Sequence, residues 1–404
     1  MLSQWVRAVL MAGVLCGLCL PVRANTTMPT ANMVRTATNT PPIMLAQTDL
    51  AMPVPGAGEQ PSEPVRVALL LPLKSSTLRT AADAVRAGFR AAYEQDLDNI
   101  AITVIETDDS PQDGLTAYGT ATAQHDIVVG PLSRTGVTAV AQSGVVSKPT
   151  IALTTPDNAS ADTMLPQRML VMGLSIEDEA RQVADWAAME KTAKKAVVLF
   201  TKTIWQRRAA KAFETQWQQH GLEVEALELP ASDGFLHGKS LIQLKKDLTP
   251  DAMPIFFLAL DARQARQVRS ILGREIALYG TSQLNPFALA DRKAADLTTD
   301  MDGTRLLDIP WQLQPNHPAV MRYPRLSLNP GQKRNADLER LYALGVDAYR
   351  VAREIAMQQT SFEVDGVTGT LRVRFDQTGE THFERTMQQA VYRNGSVVPI
   401  SNSR

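Results

Sequence analysis

The chain has 404 residues, of which 44% are hydrophobic, and its 41 lysines and arginines nearly balance 42 aspartates and glutamates for a formal charge of −1. That balance argues against nucleic acid as a partner, because such proteins carry a strong basic excess or patch. Two cysteines, Cys16 and Cys19, give no disulfide framework.

Arg7 precedes an uninterrupted apolar run from Ala8 to Leu20, too short to span a bilayer, and Val22-Arg23-Ala24 supplies small residues where a signal peptidase reads. Residues 1–24 therefore read as a secretory signal, and export removes both cysteines. Leu15 and Leu18 stand where a lipoprotein signal places a small residue before its cysteine, so a lipobox is not recognisable. Removal leaves 380 residues, enough for two lobes with substantial cores, and the loss of Arg7 and Arg23 takes the charge from −1 to −3. Residues 25–64 hold seven prolines, seven threonines and no aromatic residue, the composition of a disordered tether with a span on the order of 35 Å.

The folded part begins with VRVALLLPL at Val65–Leu73, a buried parallel strand. Leu78, Ala82, Val85, Phe89 and Ala92 follow at helical spacing. IAITVIE from Ile100, DIVVGPL from Asp126 and KPTIALTTP from Lys148 continue the alternation. Beyond Pro149 comes a helix through Ile176, Ala180, Val183 and Ala187, then the strand AVVLF at Ala196 and a helix carrying Phe213 and Trp217 that Gly221 ends. LEVEALEL from Leu222, a helix near Leu241 to Leu248, PIFFLAL from Pro254, a helix capped by Asp261 and IALYG from Ile276 complete a second α/β set. Gly303 to Pro310 reads as a strand returning to the first lobe. Leu338, Leu341, Leu344, Ala348, Val351 and Ile355 mark a long helix. The tail turns to period two, with LRVRF from Leu371 and turns at Gln377-Thr378-Gly379 and Asn394-Gly395. Such alternation predicts doubly wound, mostly parallel sheets flanked by helices, with ligands at the carboxyl ends of the strands.

This order resembles the type I periplasmic binding proteins. VRVALLLPL, HDIVVGPLSRTGV, LYGTSQLN, LLDIPWQL, LYALGVDAYRVA and GVTGTLRVRFDQTGE together are similar to the penicillin-binding-protein activator family, over Val65 to the C-terminus. The resemblance implies a non-enzymatic periplasmic module that stimulates bifunctional peptidoglycan synthases, the class A penicillin-binding proteins. It also implies a two-lobed fold, with residues 65–172 and 311–360 in lobe 1 and residues 173–310 and 361–404 in lobe 2. Better-known members place a lipid anchor and a helical-repeat domain ahead of this module. Here the proline-rich tether stands in that place, so partner contacts made through such a domain are expected to be missing.

A solute receptor of an ABC transporter for an amino acid or similar polar ligand is the alternative, and an export-assembly or scaffolding role is a third. The cleft candidates are Ser133, Arg134, Thr154, Thr155, Trp205, Asp261 and Ser282, at strand-end loops where hydroxyls, a guanidinium, an acid and an aromatic wall suit a zwitterion. Each has a structural reading as well: Thr155 before Pro156 and Asp261 suit turns or helix caps, and Trp205 suits packing between lobes. Catalysis finds no motif. His125, His220, His237, His317 and His382 are scattered without metal-ligand spacing, and G-x-S-x-G, H-E-x-x-H, S-x-x-K and K-T-G are absent. Asp108-Asp109 reads as a loop start, and no phosphate-cradling loop occurs, so neither cofactor nor metal is expected.

Overall fold

A computed structural model describes residues 63–401 except 97, 158–164, 192, 249–252, 289–298, 328–334 and 376–380. The signal peptide, nearly all of the tether and the turn at 377–379 lie outside the described residues.

The first sheet contains β1 (Val65–Leu71), β2 (Ile100–Glu106), β3 (Ile127–Val129), β4 (Thr150–Ala152) and β5 (Met169–Val171) in the order β2-β1-β3-β4-β5, all parallel. Its helices are α1 (Arg79–Tyr93), α2 (Pro111–Gln124) and α3 (Arg134–Gln142). The second half begins with α4 (Ile176–Met189), β6 (Lys195–Phe200), α5 (Ile204–Gln219) and β7 (Glu223–Glu228). The hairpin β8 (Ala231–Ser232) and β9 (Phe235–Leu236) leads to α6 (Gly238–Asp247), β10 (Ile255–Leu258), α7 (Ala262–Leu272), β11 (Leu278–Gly280) and β12 (Arg305–Asp308). After the short helices α8 (Pro310–Leu313) and α9 (Pro318–Met321) comes the long helix α10 (Ala336–Ala356). The tail forms β13 (Ser361–Asp365), β14 (Thr370–Arg374), β15 (His382–Thr386), β16 (Gln388–Arg393) and β17 (Ser396–Pro399). The second sheet runs β17-β16-β12-β11-β10-β6-β7, parallel from β7 to β12 and closed by an antiparallel hairpin.

The two doubly wound lobes expected from the sequence are therefore present. Strands β3 and β4 stop after three residues because Gly130-Pro131 and the loop to Pro156 follow, and proline removes a donor and restrains its predecessor. Strand β5 was not visible in the sequence, since three apolar residues carry no period. The tail divides: β16 and β17 extend the second sheet, whereas β13–β15 form a separate sheet that touches α10 and β5 of the first half. The sequence expectation put all of 361–404 in lobe 2; period-two alternation shows that strands pair but not which edge they join. Asn394 and Gly395, both at positive φ, make the expected turn between β16 and β17.

One apolar core runs through both lobes. It takes in Val67, Phe89 and Tyr349 of the first, Phe213, Trp217 and Phe257 of the second, and Trp311 between them. The outer face of each sheet has its own smaller cluster. Helices α1 and α10 pack backbone against backbone. A Cβ on Gly88 would lie 1.9 Å from the Tyr342 carbonyl oxygen, and one on Gly345 would lie 2.1 Å from that of Val85. Gly345→Ala should therefore destabilise the fold by about 1–3 kcal/mol or more through overpacking. Gly119→Ala, on the open face of α2 with nothing within 4 Å, should stabilise by about 0.5–1 kcal/mol. Urea unfolding of the two variants checks both signs.

Candidate functional site

The carboxyl ends of both sheets supply the cleft loops, and the polar groups there mostly bind one another. In the first lobe, Ser75 and Thr77 both donate to Oδ2 of Asp109 at 3.1 Å, tying the loops after β1 and β2. Thr135 reaches the Asp109 carbonyl. Hydrogen bonding from the Ser110 side chain, and then from its N–H, holds the Asp108 carboxyl below the usual range, and the pair Asp108-Asp109 is a loop start as the sequence suggests. In the second lobe the Gln206 side chain accepts from the Thr201 N–H and donates to Gln264, knitting the loops after β6 and β10.

The seven sequence candidates separate accordingly. Ser133 caps α3 by accepting the Gly136 N–H at 3.1 Å. Asp261 caps α7 in a full capping box with Gln264. Buried Ser282 donates its hydroxyl and its N–H to Glu179. Arg134 does meet an anion, but it is Glu177 at 3.6 Å. Thr154 and Thr155 are half-buried and make no side-chain hydrogen bond to a described residue, and Trp205 is half-buried in the first turn of α5. The structure thus converts four of the seven into internal contacts.

Sequence reasoning missed a buried ion pair that joins α10 to the end of β12. Arg340, in the second turn of α10, reaches Asp308 at the end of β12 with Nε to Oδ1 at 3.1 Å and Nη2 to Oδ2 at 2.8 Å. Its Nη2 also donates to the Ser282 carbonyl, and Asn285 donates to Asp308 at 2.8 Å. The Asp308 side chain is 0% exposed and that of Arg340 6%. Burial alone would lower the Arg340 pKa, but Asp308, Asp337 and Glu179 raise it above the ordinary arginine value. Glu179 is pushed up to about 7 by burial, against the Ser282 donors and Arg340, which act to lower it. A legible signal existed on α10: Arg340 stands three and four residues from Ala343 and Leu344, and Asp347 four from Val351, so both fall on the apolar stripe.

The crossovers are fastened as well. Arg385 donates to the carbonyls of Met172 and Gly173, both at 2.7 Å, and to Thr368. Fully buried Asp347 accepts from the N–H groups of Val367 and Thr368 and from the Thr368 hydroxyl. Three hollows open elsewhere. One of about 460 Å³ lies between α4 and the β15–β16 link, beside Trp186 and Phe383. A second, of about 640 Å³, lies between α6 and β7, and a third, of about 410 Å³, lies beside Trp311 and Arg325. None of the three is lined by any of the seven candidates. Among the described residues no group of three or more His, Cys, Asp or Glu could hold a metal, and no helix is long and apolar enough to cross a membrane.

The family model described as "LppC putative lipoprotein" matches residues 59–234 and 236–395. The chain belongs to the LppC family. It is similar to the "Penicillin-binding protein activator LpoA" of Photobacterium profundum, 24% identical over 367 residues, covering 83% of this chain and 57% of that protein. The LpoA of Haemophilus ducreyi is 25% identical over 337 residues, with 82% and 54% covered. The chain thus spans little more than half the length of these LppC relatives. Among solved structures, one from Chromobacterium violaceum, described as a "putative branched-chain amino acid ABC transporter", is 30% identical with a TM-score of 0.63, covering 81% of this chain and all of that one. The C-domain of Haemophilus influenzae LpoA, described as "a regulator of PBP1A", gives a TM-score of 0.65 at 22% identity, covering 83% of this chain and all of that domain. The latter likeness speaks for the fold alone.

Two outcomes follow for the inter-lobe network. Arg340→Ala strands Asp308 as a buried unpaired charge and should cost about 3–5 kcal/mol, read as a lower urea midpoint. Glu179 binds its proton more tightly in the folded protein than in the unfolded chain, where the ordinary value is 4.5. Its stabilising contribution is therefore full below about 4.5 and lost as pH rises through about 7. Stability measured across that window should fall with rising pH, and Glu179→Gln should flatten the slope.

Proposed function

We propose that this chain is a non-enzymatic periplasmic module that activates a bifunctional peptidoglycan synthase, a class A penicillin-binding protein, by binding it directly. Membership of the LppC family carries the reading, since full-length relatives are named as activators of such proteins. The internal pairing of most cleft candidates supports it too, because an activator of this kind needs an outer surface rather than a solute pocket. The apolar leader supports export to the periplasm, and the family's description as a lipoprotein favours association with the outer membrane. Activation is then a coupling energy: the module binds the synthase's active conformation more tightly than its idle one.

The likeness to the Chromobacterium violaceum structure favours a second reading, a solute receptor whose lobes close on a branched-chain amino acid. The two readings separate cleanly. Residues 25–404, mixed with the host's class A synthases, should bind saturably and raise glycan polymerisation and cross-linking several-fold. Absence of binding with unchanged rates sinks the activator reading. A receptor would instead gain about 2.7 kcal/mol of stability from leucine, isoleucine or valine at a hundredfold excess over the dissociation constant, whereas the activator's unfolding midpoint should not respond to them.

A further inference from the structure

We infer that the cleft contains a carboxylate-binding site and that the chain fills it with its own side chain, Glu177. Arg134 comes from the first turn of α3 in the first lobe, and Arg208 from the second turn of α5 in the second. Both converge on Oε1 of Glu177, at the start of α4: Arg134 Nη2 at 3.6 Å and Arg208 Nε at 3.1 Å. The other oxygen, Oε2, accepts the Ser175 hydroxyl at 3.1 Å. The three charged side chains are 21–38% exposed, so solvent screens them only in part.

Charge counting makes this a site rather than a chance contact. Among the described residues, Glu177 is the only acid within 4 Å of either arginine. The neighbouring Arg207 pairs with Glu228, and Asp178 pairs with Arg181. Two guanidiniums therefore face one carboxylate, leaving an excess positive charge, and the amino end of α3 adds partial positive charge beside Arg134. Arginines from opposite lobes supply the positive charge that attracts a small carboxylate, and the Ser175 hydroxyl supplies the hydrogen bond; the two arginines contact Glu177 as charges, with Arg208 Nε left without a hydrogen-bond partner among the described residues. Here the carboxylate is covalently attached, so its effective concentration is on the order of millimolar or above. A free carboxylate enters only when Glu177 leaves.

Truncation tests this directly. Glu177→Ala removes one methylene and the carboxylate, the volume of acetate. In residues 25–404, with chloride exchanged for acetate at constant ionic strength, the thermal midpoint of Glu177→Ala should rise saturably above any rise in the unaltered chain. The excess should vanish in Glu177→Ala/Arg134→Ala. An equal response in the unaltered chain, or an excess that survives loss of Arg134, overturns the site. A second measurement covers poor folding of the alanine variant. Residues 25–404 contain no cysteine, so Glu177→Cys offers a single thiol for iodoacetate, which restores a carboxylate, or iodoacetamide, which does not. The carboxymethylated protein should melt higher than the carbamidomethylated one, and only with Arg134 present. The same midpoint for both adducts refutes the proposal.

Discussion

The arrangement of the two lobes depends on the buried ion pair between Arg340 and Asp308. It joins α10, which packs on α1 in the first lobe, to the last parallel strand of the second sheet. Through the Ser282 carbonyl it extends to the loop after β11, and through the Ser282 donors to Glu179 on α4. Such a pair adds little net stability over a well-packed apolar substitute, because both ions lose their hydration. Its effect is on geometry: each oxygen of Asp308 and each donor used by Arg340 has a direction, so the pair specifies how α10 sits against the end of β12.

That constraint bears on what the cleft can do. A hinge-closing receptor needs an open state of nearly equal free energy, which its ligand then tips. Opening these lobes would leave Arg340 and Asp308 apart, each with a penalty of several kcal/mol until water reached it. The closed arrangement then dominates without ligand, so a ligand would have no closure to drive and could enter only by transiently breaking the network. The continuous core from Phe89 through Trp311 to Phe257 and the Arg385 bonds to the first crossover oppose opening in the same direction. The polar groups of the two-lobed architecture are thus largely committed to one another.

Most of the architecture was legible in the sequence because buried parallel strands and amphipathic helices write their periods plainly: VRVALLL, IFFL and the stripe from Leu338 to Ile355 fall where the structure has β1, β10 and α10. The site was not legible in the same way. A hydroxyl or acid at a strand-to-helix junction is the residue both for holding a ligand and for capping the helix, and Ser133 and Asp261 cap. Arg134 was recognised as an anion binder, but its anion lies 43 positions downstream, where Glu177 looks like any first-turn acid. Asp308 and Arg340 are 32 residues apart; the apolar stripe of α10 marks Arg340 as inward-facing, but only tertiary contact shows that Asp308 is its partner.

A rigid body places a particular demand on activation. If this chain has one conformation, it contributes no two-state element of its own, and the bistable element must belong to the synthase. On the proposed activator reading, the module would act as an effector ligand does, through contacts complementary to one conformation of its partner. Tight binding alone is insufficient, since equal affinity for both conformations shifts nothing. A tenfold stimulation requires about 1.4 kcal/mol of preference, the energy of one or two well-placed contacts, which a rigid surface supplies without losing part of it to its own rearrangement. The internal ion pairs, which contribute little as stabilisers, are on this reading what lets a two-lobed architecture work as a fixed surface.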